Sequence, residues 1–206
     1  MTQRLKEGTQ LLLATHNKGK LAEVQAMLAP FHVSVISAGD LNLDEPEETG
    51  TTFSENALLK AHAAAKASGL AALADDSGLC VEALNDAPGI YSARWAGEQK
   101  DFTAAMQRIE NELKEKSLKT SPAHFMCVLA LGFPDGTSQV FEGRVDGALT
   151  FPPRGENGFG YDPIFIATGA TRTFAEMDMA EKKKFSHRAR AFAALAKSVL
   201  PGEVAA

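Results

Sequence analysis

The sequence of 206 residues has little cysteine, tryptophan or tyrosine: two, one and two respectively. Two cysteines, Cys80 and Cys127, cannot make a disulfide-dense scaffold, and their spacing matches no metal site. Both are expected as small core residues in a reducing cytoplasm. Long hydrophobic runs are also missing. Ala71–Ala74 and Val128–Leu131 are among the longest, far short of the roughly 20 apolar residues that span a bilayer. Met1–Gln10 is polar and has no apolar signal core, so no secretion signal and no membrane partner are expected. A basic surplus is lacking too. Lys and Arg total 21 against 26 Asp and Glu, a net charge of −5. That argues against a nucleic-acid partner, which usually calls for a broad basic face. It leaves room for one small anion, which needs only a few placed cations.

What remains is a globular composition, 45% hydrophobic and 23% charged. It excludes a disordered or collagen-like chain. The length suits one domain over 1–206, whole or in two small lobes. Gln10–Thr15 reads as a buried strand running into Asn17, a cap for a helix over Lys18–Leu28. Val33–Ser37 reads as a strand and Leu41–Gly50 as an acidic loop. Thr52 and Glu55 have capping-box spacing and open an alanine-rich helix to about Ser68. Leu70–Ala74 reads as a short strand ending at Asp75–Gly78, and Pro88–Ala96 as a short helix or turn. Phe102–Glu115 is an amphipathic helix capped by Asp101. His124–Phe133 and Ser138–Val145 flank Pro134–Asp135–Gly136 and predict a hairpin. Phe151–Asp162 is a Gly/Pro-rich loop, Pro163–Ala167 a strand and Ser186–Leu200 a final helix. Phe185, Ala189, Phe192, Ala196 and Val199 form the core face of that helix. Early alternation of strand and helix, then a hairpin, predicts an α/β fold with a mixed sheet.

Five segments can carry chemistry. Thr15–His16–Asn17–Lys18–Gly19–Lys20 joins a strand end, a helix start and two lysines. That suits phosphate, although an ordinary capped helix start reads the same way. Asp75 and Asp76, with Glu45, Glu47 and Glu48 from an earlier loop, could hold magnesium or take a proton from water. Asp-Asp-Ser-Gly is equally a common turn. Lys60 falls on the small-residue face of its helix, where it either snorkels outward or meets an anion. Gly155–Asp162 combines three glycines with Phe159 and Tyr161. Such a loop lets backbone approach a ligand and offers aromatic surface to a base, with Asp162 as an acceptor; the alternative is a flexible loop. Glu181–Arg188 places His187 and Arg188 in a first helical turn. Cations oppose the dipole there, so a ligand is one reason for them and a solvated basic face the other.

In order and wording, these segments resemble the inosine/xanthosine triphosphate pyrophosphatase family. The matching stretches are Ala14–Lys20, Glu47–Gly50, Phe53–Ala57, Ala74–Leu79, Ala87–Arg94, Gly158–Pro163 and Ser186–Arg188, which together span most of the chain. The resemblance implies a long, twisted mixed β-sheet with flanking helices, in two lobes around a central substrate cleft, usually as a homodimer. It implies magnesium-dependent hydrolysis of non-standard purine nucleoside triphosphates (ITP, dITP, XTP) to monophosphate and pyrophosphate. By the same resemblance Asp76 is the catalytic carboxylate and a metal ligand, and Glu48 or Glu47 the second metal-linked carboxylate. Thr15, His16, Asn17, Lys18, Gly19, Lys20, Lys60 and Ser77 are implied as substrate contacts, with Lys60 on phosphate. Phe159, Gly160, Tyr161, Asp162, Lys182, His187 and Arg188 are implied as substrate residues, several near the base. His16 departs from the family, which often has glycine there.

Two other readings remain open on sequence. A related phosphatase or pyrophosphatase could act on another nucleotide, such as a modified pyrimidine. A sensor could bind nucleotide without turnover, although it would have no need of a metal-bound carboxylate.

Overall fold

The computed structural model describes residues 4–6 and 8–201. In chain order the elements are β1 (Gln10–Leu13), α1 (Lys18–Leu28), β2 (Ser34–Ser37), α2 (Phe53–Ser68), β3 (Ala71–Val81) and α3 (Ser92–Trp95). They continue with α4 (Phe102–Glu115), β4 (Pro122–Gly132), β5 (Ser138–Leu149), β6 (Phe165–Ala167), α5 (Met179–Phe185) and α6 (His187–Val199). The strands form a six-stranded sheet in the order β2-β1-β3-β4-β5-β6. β1 pairs parallel with β2 and β3, and β5 pairs antiparallel with β6, so the sheet is mixed. The fold is α/β, as the alternation predicted. No helix among the described residues is long and apolar enough to cross a membrane.

The chain divides into two compact units. Unit 1 takes the chain up to Asp76, Cys127–Gly143 and the chain from Arg188 on; unit 2 takes Ser77–Met126 and Arg144–His187. In unit 1, Leu11, Leu13, Leu28, Leu129, Leu131, Leu195 and Val199 make the main core. A second cluster is built of small side chains, Ala57, Ala61, Ala74, Val128 and Ala130. The alanines of α2 have a steric reason. A Cβ on Gly132 of β4 would lie 3.1 Å from the Ala61 backbone, so helix and strand approach closely. Lys60 belongs to this inward face. In unit 2, Leu79, Val81, Ile109, Leu113, Phe125, Phe165 and Phe174 form the core. The apolar stripe of α4 lands there as its spacing predicts.

Three local expectations change. β3 does not stop at Ala74; it continues to Val81, so Asp75 and Asp76 lie in mid-strand and not in a turn. Aspartate is a poor strand residue, and here both carboxylates are held by buried cations. A short helix, α5, precedes the last one. Asp178 caps it, accepting from the Glu181 N–H, and Phe185 ends it instead of opening α6. Its polar seven-residue sequence carries no apolar stripe to reveal it. The third change concerns Tyr161. Its ring is buried, stands edge-on to Phe102, and its hydroxyl donates to the Ser92 carbonyl at 2.9 Å. Tyr161 therefore supports the loop from beneath and offers no open face to a base.

Candidate functional site

Unit 1 gathers charge around the end of β1 and the middle of β3. The turn after β1 is self-built. Thr15 Oγ1 accepts the Asn17 N–H at 3.1 Å, and Asn17 Oδ1 caps α1 through the Lys20 N–H at 3.0 Å. Lys18 and His16 are exposed there, with His16 Nδ1 3.7 Å from Glu45 Oε2, while Gly19 is half-buried. Lys20 turns inward, and its Nζ lies 2.6 Å from Asp75 Oδ1. A recess of about 400 Å³ runs from His16 past Leu43, Glu45 and Pro46 to Lys60 and the alanines of α2.

Asp75, read from the sequence as a possible metal or proton-accepting carboxylate beside Asp76, is instead the hub of an internal network. Besides Lys20, it accepts from Arg188 Nε at 2.7 Å and from the Cys127 thiol at 3.3 Å. Arg188, only 1% exposed, also donates to Glu23. Burial alone would raise the Asp75 pKa, but Arg188 and Lys20 outweigh it and hold the carboxyl well below its usual range.

Asp76 faces a different cation. Lys60 Nζ lies 3.0 Å from Asp76 Oδ1 and 2.5 Å from Glu48 Oε1. Lys60 is 4% exposed, which settles its two readings: it does not snorkel out. Glu48 is the loop carboxylate that joins Asp76 through Lys60, whereas Glu47 is exposed. Asp76 Oδ2 is buried and has no hydrogen-bond partner. Burial pushes the Asp76 pKa up, Lys60 and Lys20 pull it down, Glu48 pushes it up again, and it comes to about 6. Lys20, Lys60 and Arg188 thus meet Glu23, Glu48, Asp75 and Asp76, one carboxylate more than cations.

That surplus bears on magnesium. Among the described residues no group of three or more His, Cys, Asp or Glu could hold a metal ion. Magnesium needs only one or two carboxylates when water and substrate phosphate complete its shell. Glu48 and Asp76, with Asp76 Oδ2 uncommitted, fit that requirement.

Unit 2 gathers the remaining predicted residues. Asp162 Oδ2 accepts from Lys182 Nζ at 2.7 Å and from the Phe159 N–H at 2.9 Å. Lys182 Nζ also lies over the Phe159 ring, 4.9 Å from its centroid. Phe159 and Gly160 are half-buried, and Ser77 is half-buried in β3. A Cβ on Gly158 would lie 2.1 Å from Asp162 Oδ2, so this tight loop demands glycine, which is at φ +73°. His187 is buried and stacks on Phe125, with ring centroids 4.8 Å apart. The two groups lie in different units, between which the chain crosses at Asp76–Ser77, Met126–Cys127, Gly143–Arg144 and His187–Arg188.

Comparison with known proteins gives a consistent result. The family model described as the Ham1 family matches residues 11–198. A dITP/XTP pyrophosphatase from Rhodopseudomonas palustris is 53% identical over 204 residues, covering 94% of this chain and 97% of that protein. One from Rhodospirillum centenum is 56% identical over 186 residues, covering 90% and 92%. The solved structure of a HAM1 protein from Coxiella burnetii superposes with a TM-score of 0.84 at 41% identity, covering 92% of this chain and 97% of that one. The Staphylococcus aureus Ham1 protein gives 0.79 at 40% identity, covering 91% and 96%. With the family model, the relatives and the solved structures in agreement over nearly its whole length, this chain belongs to the Ham1 family.

Proposed function

We propose that this chain hydrolyses non-standard purine nucleoside triphosphates, dITP and XTP among them, to the monophosphate and pyrophosphate. The observation that carries the reading is the Glu48–Lys60–Asp76 arrangement, with one carboxylate oxygen left uncommitted. Relatives about half identical, named dITP/XTP pyrophosphatases, supply the substrate class.

The chemistry is dictated by charge. A triphosphate brings about four negative charges, and Lys20 and Lys60 are already matched by carboxylates. Lysines alone therefore do not offset the substrate, and a divalent cation must enter with it. Glu48 and Asp76 would hold magnesium, which neutralises charge developing on the phosphoryl oxygens. Water would attack the α-phosphorus, its proton passing to the Asp76 carboxylate, and the bond to the bridging α–β oxygen would break, releasing pyrophosphate. A carboxylate beside the attacking water is suited to that proton transfer. The Thr15–Lys20 turn contributes helix-start N–H groups toward phosphate.

For base recognition the family resemblance points to Lys182 and its neighbours. Asp162 accepts from both Lys182 Nζ and the Phe159 N–H, and in this reading the Lys182 ammonium donates to a purine 6-oxo group. A 6-amino group would present a donor to a donor, and such mismatches can discriminate by ~10⁴-fold. The enzyme acts in the cytoplasm as a homodimer in this reading, as the family resemblance implies. The test is to incubate the protein with dITP or XTP and magnesium, then identify products. Monophosphate and pyrophosphate, abolished by a chelator, are expected; stepwise orthophosphate release would overturn the reading.

A further inference from the structure

Asn56 has no part in the proposed hydrolysis, yet it is fully buried in the first turn of α2. Its Oδ1 accepts the Gly50 N–H at 2.8 Å. A backbone N–H can only donate, so this bond fixes which end of the amide is oxygen. Nδ2 is then left buried with no hydrogen-bond partner. An unpaired buried donor costs free energy, so what Asn56 contributes comes through its oxygen.

Lys60 stands four residues further along α2, on the same helix face. It holds Glu48, and Asn56 holds Gly50. Two residues of one helix face thus grip both ends of the three-residue stretch Glu48–Thr49–Gly50. Glu55 secures the next two residues, its Oε2 accepting the Thr51 N–H at 2.6 Å and the Thr52 N–H at 3.2 Å. Position 50 must be glycine for this approach. A Cβ there would lie 2.6 Å from Asn56 Oδ1 and 2.7 Å from Glu55 Cβ.

We propose that Asn56 is a positioning residue for the reaction: through the Gly50 amide it sets where Glu48 meets Lys60 and Asp76, and so the spacing of the carboxylates that would hold the divalent cation. The proposal rests on the pyrophosphatase reading of this site. Asn56 acts on the loop backbone at Gly50 and not on the carboxylates themselves. Its effect passes through the loop, so it should govern metal requirement and turnover more than nucleotide binding.

The test uses the full chain with three variants, Asn56→Ala, Gly50→Ala and the double variant. Measured are kcat and KM for dITP, the magnesium concentration giving half the maximal rate, amide hydrogen exchange across Glu48–Thr52, and Tm. Asn56→Ala should lower kcat or weaken the apparent magnesium affinity by ~10–100-fold, as loss of a supporting group behind a metal ligand does. Exchange at the Gly50 amide should quicken, with KM for dITP nearly unchanged. Gly50→Ala should do the same with Asn56 intact. It carries the test alone if Asn56→Ala does not fold. The double variant should be no worse than the worse single one, because both break one contact. A lower Tm with kcat and magnesium requirement unchanged would make Asn56 a packing residue and overturn the proposal, as would multiplying losses in the double variant. If the wild type releases no pyrophosphate from any nucleotide, the functional reading fails separately. Exchange at Gly50 and the magnesium-induced shift in Tm would still decide whether Asn56 orders the metal-binding loop.

Discussion

Lys60 sits almost fully buried between Asp76 and Glu48. Burial works against its charge, but the two carboxylates outweigh it and raise its pKa. Removing one partner of a buried ion pair strands the others, typically costing 3–5 kcal/mol. Lys60→Ala should therefore destabilise the protein by about 3 kcal/mol in urea unfolding, and added magnesium should restore part of the loss. A neutral or stabilised variant would refute that placement. Asp76→Asn keeps the shape but removes the charge. It should lower kcat by ~10²-fold or more while the protein still binds a non-hydrolysable triphosphate; near-normal kcat would end the catalytic assignment. Arg188 was legible as a cation in need of a reason, and the structure supplies one inside the protein. Its guanidinium is engaged by Asp75 and Glu23, residues distant in sequence, and no local pattern announces such a pairing. Arg188→Ala should accordingly lower kcat/KM for dITP and dATP by similar factors, together with a lower Tm. A fall confined to dITP would return Arg188 to base recognition.

At the scale of the element, α2 shows what sequence can reveal. Thr52 and Glu55 form the capping box their spacing predicts, and the helix runs over Phe53–Ser68. Thr52→Ala should cost about 1 kcal/mol, read as a shift in the urea midpoint without change in slope. α1 and α4 were likewise visible, each through a cap and a helical period. β3 was only half visible. Propensity ends it at Asp75, yet ion pairs from α1, α2 and α6 make two aspartates acceptable in mid-strand. α5 was invisible because it is short and polar, held by its Asp178 cap. Of the candidate site, the acid and lysine positions were legible as types. Their pairing was not, because it depends on which strands and helices become neighbours.

Over the whole molecule, chemistry is confined to few groups. Cys80 is buried, and its thiol pKa is pushed up to about 12, mainly by burial. It stays neutral, and unreactive, at any pH well below that value. Cys127 is fully buried and donates to Asp75. A thiol reagent at pH 8 should therefore find no fast-reacting group in the native protein and two after denaturation, the full cysteine complement. Fast native labelling would show that one of these interiors opens. The central claim is selective pyrophosphohydrolysis of non-standard purine triphosphates. Its most direct test is kcat/KM from pyrophosphate release on dITP, XTP, dGTP and dATP with magnesium. The account predicts that dITP and XTP are cleaved with far higher kcat/KM than dATP and dGTP. Equal rates on all four, or no pyrophosphate from dITP and XTP, would contradict it.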